Sequence, residues 1–193
     1  MRGEETGRRE FLRTTSALGL GVGLGTWSNL ASITPATAAE MAVTPEAVRF
    51  RPEIEPVVRW IEETPRERIL DVAVKHLKGG LSYRDLLAGL FLAGIRNIKP
   101  RPVGFKFHAV MVMNSAHLLG QSAAVDERLL PMFWALDNFK NSQAQDIKEG
   151  DWTLNKLDES KLPSPTRAKA EFVKAMDAWD AEAADVAIAS LCR

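Results

Sequence analysis

Apolar residues recur at helical spacing from about residue 53 to the C-terminus, and this periodicity constrains the fold more than any other feature of the chain. In the segment 53–63, for example, Ile54, Val58 and Ile61 fall on one helical face. The sequence lacks the alternation of Val, Ile or Thr with polar residues that is typical of strands. The pattern therefore predicts an all-α fold.

Helix-start and helix-end signals divide this periodic region into separate helices. The tetrapeptide TPRE at 64–67 is typical of a capping box with proline in the first turn, and the glycine pair at 79–80 is typical of a helix end. Ser82 predicts the start of a helix that runs to about Asn97. Further helices are predicted over about 104–119, 126–139, 164–179 and 181–191, with a loop over 146–163. We expect a compact bundle of about six or seven antiparallel-paired helices.

Composition excludes several classes of protein. The chain has 193 residues, 46% of them hydrophobic, with 25 basic and 25 acidic side chains and a single cysteine. A disordered chain would have fewer apolar residues, and a disulfide scaffold or a cysteine-ligated metal centre would need more cysteines. Because the formal net charge is zero, we expect no nucleic-acid partner.

The N-terminus has the three parts of an export signal. Arg8-Arg9 precede Phe11-Leu12-Arg13, an uncharged segment rich in Gly, Ala and Leu covers 14–27, and Ala36-Thr37-Ala38 forms an A-x-A cleavage site. The arginine pair resembles a bacterial twin-arginine signal, with Gly7 at the position that usually holds Ser or Thr. The resemblance implies the twin-arginine export machinery as a partner, a periplasmic or otherwise exported location, and export in the folded state, often with a cofactor already inserted.

Cleavage after Ala38 gives the predicted domain organisation. Residues 1–38 are the signal peptide, 39–52 a loose lead-in, and 53–193 a single helical domain. A retained membrane anchor is the alternative, although an apolar stretch of about 14 residues is short of the roughly 20 that a span needs, and no stable span is expected after cleavage. The last helix reaches the C-terminus without a capping glycine, so a natural end and a fragment of a longer protein both stay open.

The segment 104–119 holds two of the three histidines, which are the candidate catalytic and metal-ligating residues. On a straight helix His108 shares a face with Ser115, whereas His117 points about 180° away. Because metal-binding histidine pairs on one helix sit at i, i+3 or i, i+4, a shared site would need a kink near Asn114. The segment is apolar nearly all round, which predicts a helix buried at the centre of the bundle.

Two interpretations of these polar side chains stay open. The two histidines, Asn114 and Ser115 can form a hydrogen-bonded network that fixes the register of the helix. Alternatively, one or both of His108 and His117 line a pocket, as ligands of a metal or haem or as acid/base groups.

A second feature is electrostatic, because no acidic residue occurs between Asp85 and Asp126. Four basic side chains in this gap, together with the positive end of the following helix, predict a site for a small anion such as phosphate or carboxylate. Asn114 is a further candidate binding residue. The alternative is that the basic side chains are solvated or pair with the acidic residues at 146–151. The four basic residues are Arg96, Lys99, Arg101 and Lys106.

The central stretch from Leu81 to Trp152 resembles a family of exported, uncharacterised helical proteins from environmental bacteria. The residues that carry the resemblance are LAGIRNIKPRPVGFKFHAVMVMNSAHLL, FWALDNFK and EGDWT. The portion from Phe107 to Val110 is also similar to questin-oxidase-like proteins, which are helical and bear histidines. That likeness implies an oxidoreductase with His108 as the candidate catalytic residue. Members of the first family are longer, which favours the fragment interpretation.

These observations lead to two hypotheses of function. In the first, the protein is an exported oxidoreductase-type protein that binds a metal or another cofactor through buried histidines. In the second, it is a non-enzymatic periplasmic module that binds a small anion or a protein partner. The sequence contains no dinucleotide fingerprint, phosphate-binding loop, nucleophile elbow or His-Glu-x-x-His motif that would decide between them.

Overall fold

The computed structural model describes residues 33–42, 52–100 and 105–192, and within these ranges the chain consists of helices joined by turns and irregular segments. It forms eight α-helices and no strand there, which confirms the all-α prediction. Most of the predicted export signal, up to residue 32, and the candidate binding residue Arg101 lie outside the described residues. No helix within the described ranges has the length and apolar character needed to cross a membrane.

The helices are numbered here in chain order. They are α1 Ala38–Met41, α2 Glu55–Glu63, α3 Ile69–Lys78, α4 Tyr83–Asn97, α5 His108–Ser122, α6 Leu130–Lys148, α7 Pro165–Asp177 and α8 Ala181–Leu191. Short 3-10 turns precede α2, α3, α5 and α6.

The chain divides into two compact units, whereas the sequence analysis predicted one domain over 53–193. The first unit ends at Leu154 and the second comprises Asn155–Arg193. The boundary falls in the irregular segment that follows α6, within the loop predicted over 146–163. A periodicity that is local to each helix carries no information on which helices share a core, so the sequence did not indicate this division.

The core of the first unit is built from α1 to α6. Among its largest fully buried side chains are Ile61, Leu86, Leu90, Phe133 and Phe139. Gly89 lets α4 approach α2 closely, because a Cβ at this position would lie 2.6 Å from the Val57 side chain. Helices α5 and α6 run antiparallel, since Lys106 before α5 pairs with Asp146 near the end of α6.

Residues 33–42 also belong to this core, although the sequence analysis assigned 1–38 to a signal peptide and 39–52 to a loose lead-in. Met41 is completely buried, and Ala36 is almost so. Thr37 and Glu40 form a reciprocal capping box that starts α1. The described part of the predicted lead-in, residues 39–42, is therefore ordered against the helical unit.

The second unit is a hairpin of α7 and α8. Ser164 and Asp180 stand at the N-caps of the two helices, and the Ser190 hydroxyl donates to the Pro163 carbonyl at 2.7 Å, which makes the helices antiparallel. Small side chains fill the space between them, so the helices pack closely but bury little apolar surface. The buried alanines are Ala168, Ala175, Ala184 and Ala187.

Candidate functional site

The two candidate histidines lie on opposite sides of α5. His117 is buried against the core, whereas His108, in the first turn, is exposed. The expectation that the two side chains point away from each other is met, and α5 is continuous from His108 to Ser122 with no break at Asn114. They therefore do not share one site.

His117 forms a buried hydrogen-bonded pair with Tyr83 of α4. The Tyr83 hydroxyl lies 3.0 Å from His117 Nδ1, and their ring centroids are 5.8 Å apart. Burial raises the pKa of Tyr83 well above its ordinary value and lowers the pKa of His117. At neutral pH the tyrosine is thus protonated and the imidazole neutral, so a single hydrogen bond joins the hydroxyl and Nδ1, and the ring tautomer decides which of the two donates.

No group of three or more His, Cys, Asp and Glu side chains is placed to hold a metal ion in the part of the chain that the structure describes. The third histidine, His76, stacks on the Trp60 ring at a centroid distance of 4.6 Å, and burial together with nearby Lys75 lowers its pKa. Ligation of a metal or haem by His108 or His117 stays a prediction. Metal analysis and an absorption spectrum of the purified protein would check it.

Arg96, one of the four predicted anion-binding residues, is held by carboxylates of α2. It makes a bidentate contact with Glu62, at 2.6 and 2.9 Å, and a further contact of 2.8 Å with Glu55. Bidentate pairing of this kind fixes the guanidinium in one orientation. The guanidinium therefore joins α4 to α2 in this structure.

Lys106 and Lys99 converge on one buried carboxylate, Asp146. Lys106 Nζ lies 2.7 Å from Asp146 Oδ1 and 2.6 Å from Glu149 Oε2, while the backbone N–H of Lys99 donates to Asp146 Oδ1 at 3.0 Å. The Trp152 N–H donates to Asp146 Oδ2 at 2.8 Å. Burial opposes ionisation of Asp146, but these hydrogen bonds outweigh it and lower its pKa.

Basic residues from the stretch between Asp85 and Asp126, which has no acidic residue, thus contact acidic side chains from distant parts of the chain. For Lys106 this is the pairing with residues 146–151 that the sequence analysis held as the alternative to anion binding. Binding of a free anion by Arg96, Lys99, Lys106 or Asn114 stays a prediction, and Arg101 lies outside the described residues.

The prediction that the 104–119 segment is buried all round is wrong, because one side of α5 faces solvent. We call this side the α5 outer face. Five of its residues define an arc of about 140° at 100° per residue, and the exposed residues His108 and Ser122 lie within the same arc. The five are Met111, Asn114, Ser115, Leu118 and Leu119, and all of them are exposed.

The α5 outer face combines apolar exposure with an absence of charge. Met111, Leu118 and Leu119 are 62%, 52% and 46% exposed. No Asp, Glu, Lys or Arg occurs anywhere in the 15 residues of α5, in a chain that is 26% charged. The apolar content of the segment does not reveal this surface, because apolar residues occur at exposed positions as well as in the core. The polar residues His108, Ser115 and Ser122, which recur at helical spacing, could have indicated it.

Comparisons with protein-family models, with curated proteins and with solved structures find no match to this chain.

Proposed function

We propose that the protein is an exported, non-enzymatic helical module that binds a protein partner through the α5 outer face. The proposal follows the second of the two sequence hypotheses and places the contact surface on α5. The exported setting rests on the twin-arginine-like N-terminus. The partner that fits this face presents an apolar surface with a few hydrogen-bonding groups, because α5 has no Asp, Glu, Lys or Arg to pair with a charge on the partner.

The observation that carries the proposal is the exposure of three large apolar side chains on one uncharged helical face. The centres of protein interfaces are depleted in charge and enriched in residues such as methionine. Contiguous exposed apolar surface on a soluble protein often marks a binding site. Asn114 and Ser115, which lie between Met111 and Leu118, supply the polar groups that orient a partner.

The opposite side of α5 supports the same proposal, because it fixes the helix rigidly. Ala109, Val110, Met113 and Ala116 are buried there, and His117 is tied to Tyr83. A face whose backbone is already ordered loses little conformational entropy when a partner binds.

Site-specific photo-crosslinking in the producing cells tests the proposal. A crosslinking residue at Leu118 or Met111 should give a discrete adduct with one partner, whereas the same residue at Ile147, which is 55% exposed on α6, should not. With that partner purified, Leu118→Glu should raise the Kd at least about tenfold, because it buries an unpaired charge, and Ile147→Glu should leave the Kd unchanged. Equal adducts from all three positions, or adducts formed only with a second copy of the chain, would refute the proposal.

A further inference from the structure

The segment from Ala36 to Ala42, called here the docked segment, is fixed to the first unit by hydrogen bonds to its backbone. The Arg84 guanidinium on α4 donates to the carbonyls of Ala39, Glu40 and Ala42 at 3.4, 3.2 and 2.6 Å. Three carbonyls within four consecutive residues are thereby held by one side chain. Because the donor is charged, these bonds are stronger than bonds between neutral groups.

Two further residues hold the docked segment from other elements. Arg128 Nη1 donates to the Ala36 carbonyl at 3.0 Å, and Gln121 Nε2 at the end of α5 donates to the Met41 carbonyl at 2.9 Å. The Met41 side chain is completely buried beside Gly120. The docked segment therefore has an apolar anchor as well as polar attachments.

The bond predicted to be cut during export, between Ala38 and Ala39, lies in the middle of this segment. Ala38 begins α1, whose first turn is closed by the capping box between Thr37 and Glu40, with N···O distances of 2.8 and 3.2 Å. Proteases cut chain that is exposed and able to leave its folded conformation, so a docked helical turn must open first.

We infer that the folded first unit protects its own processing site, so that the leader stays attached until the docked segment opens. In a chain exported in the folded state, as the twin-arginine resemblance implies, docking would precede the encounter with the peptidase. The rate of processing then follows the small fraction of molecules in which residues 36–42 are undocked. This inference rests on the exported setting of the proposed function but is independent of the proposed partner binding.

Cutting at Ala38–Ala39 would not release the whole anchor. Met41 and the three carbonyls bound by Arg84 remain on the product, whereas the Thr37 cap and the Ala36 contact with Arg128 are lost. A new ammonium group at Ala39 would also stand at the N-terminus of α1, where positive charge is unfavourable. The processed chain should therefore hold its N-terminus less tightly than the precursor does.

The test is the cleavage of the purified full-length protein by a bacterial signal peptidase in detergent micelles, followed by intact mass. A synthetic peptide covering residues 28–46 serves as the unprotected reference. We expect the peptide to be cut at Ala38–Ala39 and the full-length protein to be cut at least about a hundredfold more slowly.

Two arginine variants separate protection from general stability. Arg84→Ala removes three bonds to the docked segment from an exposed position and should speed cleavage about tenfold. Arg59→Ala, at an exposed position of α2 that makes none of these bonds, should leave the rate unchanged. Circular dichroism checks that both variants keep their helical content.

Three results would overturn the inference. They are equal rates for the peptide and the full-length protein, a peptide that is cut elsewhere or not at all, and an Arg84→Ala protein that is cut no faster than Arg59→Ala. None of them bears on crosslinking from the α5 outer face.

Discussion

Replacing Asp146 by alanine removes the centre of the network that joins α6 to the segments before α5 and after α6. Asp146 is only 2% exposed and accepts three contacts, from the Lys99 N–H, the Trp152 N–H and Lys106 Nζ. An alanine leaves all three donors without this acceptor. A buried donor that loses its partner costs about 1–3 kcal/mol, and removal of one member of a buried ion pair costs about 3–5 kcal/mol.

The stability lost in Asp146→Ala is expected to lie at the lower end of the range of about 3–5 kcal/mol, for two reasons. Lys106 keeps Glu149 at 2.6 Å, and Trp152 is only partly buried, so water can reach its backbone. We expect Asp146→Ala to lower the free energy of unfolding by about 3 kcal/mol, which corresponds to a fall in Tm of about 6–12 °C for a chain of this size. Asp146→Asn keeps the shape and loses the charge, so its loss should be about half as large.

Urea unfolding followed by circular dichroism at pH 7 measures these differences, with Asp71→Ala as the control at an exposed aspartate. The control should change the free energy of unfolding by less than about 1 kcal/mol. A loss below about 1 kcal/mol for Asp146→Ala would refute the reasoning, because it would mean that the three contacts are replaced at no cost.

The contribution of the Asp146 carboxylate to the free energy of unfolding depends on pH in a predictable direction. Because the pKa of Asp146 is lowered from 3.8 in the folded protein, its contribution is present above 3.8 and is lost as the pH falls through the lower folded value. The stability difference between the wild type and Asp146→Asn should therefore narrow below pH 3.8. A difference that stays constant on acidification would contradict the assignment of the ionised form.

Two further predictions concern Lys140 and Gly120. Burial lowers the pKa of Lys140 from 10.5 to about 8, so the fold favours its neutral form, and this group should contribute a gain in stability of about 3 kcal/mol as the pH rises from 8 to 10.5. Urea midpoints across this range should show a smaller rise in Lys140→Met, and an equal rise would exclude Lys140 as its source. Gly120→Ala would place a Cβ 2.7 Å from the Arg128 carbonyl oxygen and should cost about 1–3 kcal/mol, whereas Ser115→Ala on the exposed side of α5 should be within about 0.5 kcal/mol. Thermal unfolding compares these two variants. Equal Tm values would show that the backbone near Arg128 shifts to accommodate the new Cβ without a measurable loss of stability.

Helix signals in the sequence predicted the fold class well because they act within a few residues. The Ser82 hydroxyl accepts from the Asp85 N–H at 3.1 Å, as the cap prediction requires. The predicted capping box at 64–67 is wrong, since the Thr64 hydroxyl turns back and donates to the Trp60 carbonyl of α2. A threonine between two helices can cap either one, and local sequence does not decide which.

The candidate site was harder to predict because its contacts join residues far apart in the chain. Lys106, which precedes α5, contacts Asp146 and Glu149 at the C-terminal end of α6. Arg96 on α4 contacts Glu55 and Glu62 on α2. The sequence showed that acidic residues are missing around α5, but the partners depend on which helices pack together. Burial of α5 was mispredicted for a related reason, since apolar residues contribute much of the surface of folded proteins as well as their cores.

The charge-free surface of α5 is not explained by the needs of the fold. The helix is fixed near one end by Lys106 with Asp146, and at the other by Gly120 against Arg128 and by Gln121 with the docked segment. Substitutions at exposed helical positions between these contacts change stability by little, and charged side chains there would favour solubility. Because charge at the exposed positions Met111, Leu118 and Leu119 is expected to cost the fold little and to favour solubility, the apolar residues found there support the proposed contact with a partner.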